Sequence, residues 1–249
     1  MIPIRTCQEI DKIRRAGHIL AKMIDELSQM IKPGIATIDL DRTAALAMSQ
    51  FKAKSAFKGY RGYPAHICVS INEEVVHGIP GARKLVSGDI VSIDIGIELD
   101  GFFADMAKTF PVGKIESQKQ RLIEVAFASL EEAIKAFKPH ARLSDISYAV
   151  QHYVESRGFS VVRDFVGHGI GRELHEEPQI PNFVSQKEES SPILKEGMVF
   201  AIEPMLNMGD WQIEVLKDGW TAVTKDRKPS AHFEHTVALW KGEPEILTR

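Results

Sequence analysis

Ile90-Val91-Ser92-Ile93-Asp94-Ile95-Gly96-Ile97-Glu98-Leu99-Asp100-Gly101-Phe102-Phe103-Ala104-Asp105 sets two strand-like runs around an Asp-Gly pair. Asp100-Gly101 is a strong two-residue hairpin signal, because both central positions of such a turn need positive φ. The turn sets the register: Leu99 faces Phe102, Gly96 faces Asp105, and Asp94 faces Ala107. Side chains alternate along a strand, so Asp94, Gly96, Asp105 and Ala107 share one face. Asp94 and Asp105 become diagonal neighbours with backbones roughly 7–8 Å apart. Two such carboxylates can hold cations between them, and the small Gly96 and Ala107 leave room for an ion. From the hairpin alone a solvated polar face reads equally well, since Ser92, Asp94 and Glu98 alternate with Val91, Ile93, Ile95 and Ile97. A one-residue bulge would also spoil the register. Further donors decide the matter.

They lie in the second half of the chain. Gly167-His168-Gly169-Ile170-Gly171 sets a histidine among glycines, where the backbone can approach a ligand closely. His175 follows in His175-Glu176-Glu177-Pro178. Glu203 ends the apolar run Met198-Val199-Phe200-Ala201-Ile202, and Glu234 interrupts Ala231-His232-Phe233-Glu234-His235-Thr236-Val237. A carboxylate entering a buried strand is costly unless it is paired or bound to metal. A salt bridge would account for either glutamate singly. Both together, with acid and histidine partners, read as ligands for hard to borderline metals.

Outward from these motifs the chain alternates helices and strands. Thr6 to Glu9 has the form of a capping box. Ile10, Ile13, Ile19, Leu20, Met23, Ile24, Leu27 and Ile31 then recur with helical spacing until Lys32-Pro33-Gly34. A second helix is expected from about Asp39 to Gln50. Strands are expected at Ile67–Ile71, Ile90–Leu99 and Gly101–Phe110. Ser117 with Gln120 opens a third helix, which ends near Lys138-Pro139, and Ser144 caps a fourth that stops at Gly158. Strands return at Ser160–Val162, Met198–Leu206, Gln212–Leu216, Trp220–Thr224 and Ala231–Leu239. Lys32-Pro33 with Asp39 matches Lys138-Pro139 with Asp145 at the same offset, which suggests an internal duplication. With no low-complexity linker, residues 1–249 read as one α+β domain of two related halves, helices clustering on one side of largely antiparallel strands.

Composition narrows the function. Hydrophobic residues make up 44% of the 249 residues and charged residues 26%, enough for a substantial core. A net charge of −3 argues against a protein that coats DNA or an anionic membrane. The two cysteines, Cys7 and Cys68, are far apart, so a disulfide framework is not expected. The N-terminus lacks the apolar region of a signal peptide, and no apolar run reaches the ~20 residues that span a bilayer. A soluble, cytoplasmic protein is expected.

The series Asp94, Asp105, His168, Glu203, Glu234 resembles the metal-ligand set of the methionine aminopeptidase family. The surrounding words are similar too: Ser70-Ile71-Asn72-Glu73, Val76-His77-Gly78-Ile79-Pro80, Gly167-His168-Gly169-Ile170-Gly171, Ile202-Glu203-Pro204-Met205 and Phe233-Glu234-His235-Thr236. The resemblance covers nearly the whole chain. It implies a pita-bread fold, a curved antiparallel sheet with helices on its outer face and halves related by a pseudo-two-fold. The short interval between Glu203 and Glu234 leaves no room for the helical insertion of type II members. With no N-terminal extension expected, a compact bacterial-style type I member is the nearest match.

By that resemblance Asp94 would chelate one of two divalent ions, His168 and Glu203 the other, and Asp105 and Glu234 would bridge both. Manganese, iron, cobalt or zinc suits such donors. Glu203 would shuttle the proton, His77 would bind the peptide beyond the cut, and His175 would stabilise the oxyanion. Tyr60, Tyr63, Cys68 and Trp220 occupy positions similar to the family's methionine pocket. Leu174 stands where bacterial members usually have phenylalanine, Phe57 where many have cysteine, and Arg61 replaces a usual histidine at the rim. A monovalent cation near Asn72 and Ser230 is a further implied feature. The implied activity is co-translational removal of initiator methionine before a small second residue, with nascent N-termini near the ribosome as partners and a monomeric enzyme. Two alternatives remain at this level. One is an Xaa-Pro aminopeptidase or dipeptidase, which shares fold and ligands but carries a further N-terminal domain. The other is a non-catalytic paralogue that binds ribosomes, RNA or proteins.

Overall fold

The first helix starts where its capping box is written. The Thr6 side chain accepts from the Glu9 N–H while Glu9 accepts from the Thr6 N–H, which satisfies two amides that the helix start leaves free. Helix α1 (Cys7–Met30) then buries Ile10, Ile13, Leu20, Met23, Ile24 and Leu27 along one face. In this computed structural model the described residues are 1–184 and 191–249. After α1 come α2 (Thr37–Gln50) and strands β1 (Lys54–Ser55), β2 (Cys68–Ile71), β3 (Glu74–Val76), β4 (Ile90–Leu99) and β5 (Phe102–Pro111). A second helix pair follows, α3 (Ser117–Ala136) and α4 (Leu143–Glu155). Strands β6 (Ser160–Val161), β7 (Gly167–Gly169), β8 (Glu176–Ile180), β9 (Val199–Ile202) and β10 (Met205–Asn207) come next. The chain ends with β11 (Ile213–Val215), β12 (Ala222–Thr224), β13 (Ser230–His232), β14 (Glu234–Trp240) and β15 (Glu243–Ile246).

The main sheet is curved and antiparallel, in the order β1-β4-β5-β14-β9-β7-β8, with β2 also on β4 and β15 also on β14. Two smaller sheets, β13-β10-β6 and β11-β12-β3, complete the strands. The hairpin register holds without a bulge: Leu99 pairs Phe102, Gly96 pairs Asp105 and Asp94 pairs Ala107. Asp100 and Gly101 take φ of 51° and 78°, as the tight turn requires. Helix α1 packs on β4 and β5, while α3 packs on α4 and on β14. One hydrophobic cluster joins α1 and α2 to β4, and another joins α3 and α4 to β9 and β14.

The two halves repeat each other in detail. Leu85-Val86-Ser87-Gly88-Asp89-Ile90-Val91-Ser92-Ile93-Asp94 answers Leu194-Lys195-Glu196-Gly197-Met198-Val199-Phe200-Ala201-Ile202-Glu203. Each segment enters its strand from a lone bridge to a helix start, Ala36 with Lys84 and Arg142 with Ile193. The N–H groups of Gly34 and His140 donate to the carbonyls of Leu85 and Leu194, at 2.8 and 3.1 Å. Asp94 and Glu203 are therefore counterparts, brought to one centre from opposite halves.

Several expected elements differ. Met198–Leu206 is two strands, because Pro204 has no N–H to continue a ladder. Ala231–Leu239 is likewise divided, at Phe233, between β13 and β14 in different sheets. Ser144 does not cap α4. Arg142 is the cap residue, its N–H donating to Asp145 Oδ2 at 2.7 Å, and Ser144 lies inside the helix, which ends at Glu155 rather than Gly158.

Candidate metal centre

Strand pairing gathers the donors from five strands. Glu234, at the start of β14, pairs Ala107 on β5, whose neighbour Asp105 sits opposite Gly96. His168 on β7 pairs Ala201 on β9, and Glu203 follows the end of that strand. Among the described residues, Asp105, His168 and Glu234 offer donor atoms all within 4.8 Å of one another, as do Glu203, His232 and Glu234. Glu234 belongs to both groups. Asp94 stands outside them, on the same face of the hairpin as Asp105 and opposite Ala107. His168 Nε2 lies 3.4 Å from Glu203 Oε1, and His232 Nε2 lies 3.8 Å from Glu203 Oε2.

These residues fit a cation. Asp94 Oδ1, Asp105 Oδ1, Glu234 Oε1 and His232 Nε2 are buried without a hydrogen-bond partner among the described residues. Unpaired buried carboxylates carry a penalty of several kcal/mol per ion, which a cation among them offsets. The mixed oxygen and imidazole donors suit first-row divalent metals. His168 is oriented as a ligand, with Nδ1 2.9 Å from Gly169 O, which leaves the Nε2 lone pair facing the carboxylates.

The pocket residues fall into two groups. Tyr63 stacks edge-on against Trp220 at 5.1 Å between ring centroids, and Cys68 pairs Asp94 across β2 and β4. His77, held at φ 61°, sets its ring edge-on to Phe165 and Trp220. On the other side the Tyr60 hydroxyl reaches His175 Nδ1 at 2.7 Å, and the rings of His175 and His168 lie 4.3 Å apart. Arg61, at φ 49°, lies with His168, His175 and Arg172 around a cavity of about 770 Å³. Phe57 and Leu174 are buried in the first hydrophobic cluster.

The sequence matches metallopeptidase family M24 over residues 11–240. Methionine aminopeptidase 1 of Bacillus subtilis is 50% identical over 249 residues, covering 100% of both chains. The chain belongs to the methionine aminopeptidases of family M24. The crystal structure of a Thermotoga maritima methionine aminopeptidase superposes with a TM-score of 0.97 at 46% identity, over 100% of each chain. A prolidase from Pyrococcus furiosus shares the fold, with a TM-score of 0.81 at 22% identity, over 99% of this chain and 65% of its own. Membership makes the protein a metal-dependent hydrolase that uses divalent metal. No helix among the described residues is long and apolar enough to cross a membrane.

Electrostatics at this methionine aminopeptidase centre follow from burial. Desolvation pushes Asp94 from its ordinary 3.8 up to about 7. Burial first, and the charges of neighbouring carboxylates second, push Asp105, Glu203 and Glu234 well up. Burial pushes His168 down to about 4 and His232 to about 3, so both imidazoles are neutral ligand forms at pH 7. His175 is pushed down to about 3 by desolvation and then by His168, Arg61 and His77. The Cys68 thiol is pushed up by burial and by Asp94, which makes it an inert apolar group.

Two expectations change. The room beside Gly96 is not space for an ion: a Cβ there would lie 2.8 Å from the Phe57 ring and 3.1 Å from Asp105 Oδ1. The glycines flanking His168 serve strand approach rather than ligand approach, since a Cβ on Gly169 would meet Glu177 O at 2.2 Å. Beside the expected monovalent site, Ser230 N–H donates to Asn72 O at 2.8 Å. The Lys119 ammonium already donates to Asn72 Oδ1 at 3.1 Å and Gly88 O at 2.7 Å. Sequence reasoning assigned no role to His232, although it shares strand parity with Glu234. It also overlooked Phe165, whose partnership with His77 is purely spatial.

Proposed function

We propose that this enzyme removes methionine from the N-terminus of nascent proteins whose second residue is small. The observation that carries the reading is the buried group of Asp105, His168, Glu203 and Glu234 beside an apolar wall of Tyr63, Cys68 and Trp220. Aromatic faces and a soft sulfur neighbour suit an unbranched thioether side chain. Asp94, Asp105, His168, Glu203 and Glu234 would hold two divalent ions, manganese, iron, cobalt or zinc. Divalent ions bound there supply a water of lowered pKa and polarise the scissile carbonyl.

The remaining steps belong to the chain's own groups. Glu203, set between His168 and His232, takes the proton of the attacking water and returns it to the leaving amine. His175 receives the Tyr60 hydroxyl at Nδ1, so its Nε2–H is free to donate to the developing oxyanion. His77, its ring nearly perpendicular to those of Phe165 and Trp220, donates to the peptide beyond the cut. Tyr60 closes the pocket on the His175 side, while Phe57 and Leu174 shape it from the core. The same proposal takes residues 1–249 as one catalytic domain, monomeric and cytoplasmic, meeting its substrates near the ribosome without binding DNA or membrane. It also includes a monovalent cation on backbone carbonyls near Asn72 and Ser230, where Lys119 already supplies one positive charge.

The test is methionine release from Met-Ala-Ser and Met-Leu-Ser by chelated enzyme reconstituted with Mn²⁺, Fe²⁺, Co²⁺ or Zn²⁺. Metal-dependent cleavage of the alanine peptide alone is expected. Cleavage of Xaa-Pro peptides instead would overturn the substrate assignment. Failure with every metal would favour a binding paralogue.

A further inference from the structure

His232 lies outside the donor set that the sequence pointed to, yet the fold places it deliberately. The Thr109 hydroxyl on β5 accepts its backbone N–H at 2.9 Å and donates to its carbonyl at 2.8 Å. Register with β10 sets His232 opposite Met205, two residues beyond Glu203. The Glu203 backbone is pinned as well, its carbonyl accepting from Asn182 Nδ2 at 3.0 Å. Both partners are thus fixed at the main chain, and His232 is only 2% exposed.

Glu203 has two oxygens and two imidazoles beside them. Oε1 faces His168 Nε2 and Oε2 faces His232 Nε2. The histidines differ in how their nitrogens are held. His168 Nδ1 is on a backbone carbonyl, the arrangement that fixes a metal-ligating tautomer. His232 Nε2 is buried with no hydrogen-bond partner among the described residues, 3.8 Å from Glu203 Oε2. His232 is therefore free to carry its proton at Nε2, toward Glu203. The geometry points to His232 as a positioning residue of the metal centre: its Nε2, 3.8 Å from Glu203 Oε2, closes to a hydrogen bond when the ion is bound and so presents Oε1 to the ion that His168 shares. A partner outside the ligands commonly tunes metal affinity by about 10- to 100-fold.

This inference rests on the metallopeptidase reading, and the experiment separates the two. Co²⁺ affinity is measured by calorimetry, and the visible Co²⁺ spectrum recorded, for the full chain and for His232→Ala and His232→Gln. A glutamine amide can donate to Oε2 but is a poor ligand for borderline metals. His232→Ala is expected to weaken Co²⁺ binding by about 10- to 100-fold and to shift its spectrum, while His232→Gln restores both. Should circular dichroism show that His232→Ala is unfolded, His232→Leu fills the same volume without a donor. Unaltered affinity and spectrum in the alanine or leucine variant would overturn the inference. Glutamine failing as badly as alanine would also overturn it, in favour of direct ligation by His232. Parent protein that binds no Co²⁺ at all would instead sink the metallopeptidase reading.

Discussion

His175 shows how one residue's chemistry is set by its neighbours. Desolvation and the neighbouring His168, Arg61 and His77 push its pKa down, so at pH 7 it acts as a neutral hydrogen-bond donor and not as a charge. The Tyr60 hydroxyl lies 2.7 Å from Nδ1 and holds the ring in place. His175→Ala is expected to lower kcat on Met-Ala-Ser by about 10²–10³-fold, a loss of about 2.7–4 kcal/mol in the transition state. Bound metal, measured by calorimetry, should stay at the parent level. A variant that loses metal together with activity would reassign His175 to the ion. Asp94, Asp105, His168, Glu203 and Glu234 could each be picked out along the chain by residue type and surroundings. His232 could not, because its meaning lies in an orphaned Nε2 that becomes visible only beside Glu203.

Among elements, the β4–β5 hairpin carries the most consequence. Its register follows from the two-residue turn alone, since both strands run unbroken from Asp100-Gly101. The space around it does not follow from the turn. Gly96→Ala would drive a Cβ to 2.8 Å from the Phe57 ring, 3.1 Å from Ala56 Cβ and 3.1 Å from Asp105 Oδ1. Overpacking of this kind costs about 1–3 kcal/mol, and here it also displaces Asp105. Urea unfolding should show the lost stability, and calorimetry a weakened metal affinity. Unchanged values in both would mean that Phe57 yields freely. The breaks at Pro204 and Phe233 belong to this scale as well. Each apolar run reads as one strand, yet the chain crosses there between the main sheet and a smaller one.

For the whole molecule, the buried carboxyls and histidines act on stability in opposite directions. His168 falls to about 4 and His232 to about 3, against an ordinary value of 6.5. Below pH 6.5 the unfolded chain therefore binds more protons at these rings, and stability rises with pH up to that point. Asp94 is raised from 3.8 to about 7, so the folded state keeps a proton that the unfolded chain has released. Asp105, Glu203 and Glu234 shift the same way. Above about pH 6.5 only the carboxyl effect remains, and metal-free protein should lose stability as pH rises through 7. Metal binding displaces those protons and should tighten with pH, adding about 2.7 kcal/mol at a hundredfold excess over Kd. Thermal midpoints of chelated and metal-loaded protein should diverge from pH 6.5 to 8. A gap that narrows over that interval would show that the carboxyls are not the metal site.

The sequence by itself determined the strand periodicity, the hairpin register, the helix starts at Thr6 and Ser117, and the residue types able to bind metal. All of these depend on neighbours within a few positions along the chain, where backbone geometry leaves few choices. The tertiary structure decided which face of each donor meets another. It placed His168 and His232 on opposite oxygens of Glu203 and filled the space beside Gly96 with Phe57. Those contacts join residues far apart along the chain. Their energies come from burial and packing that exist only once the sheet has brought them together.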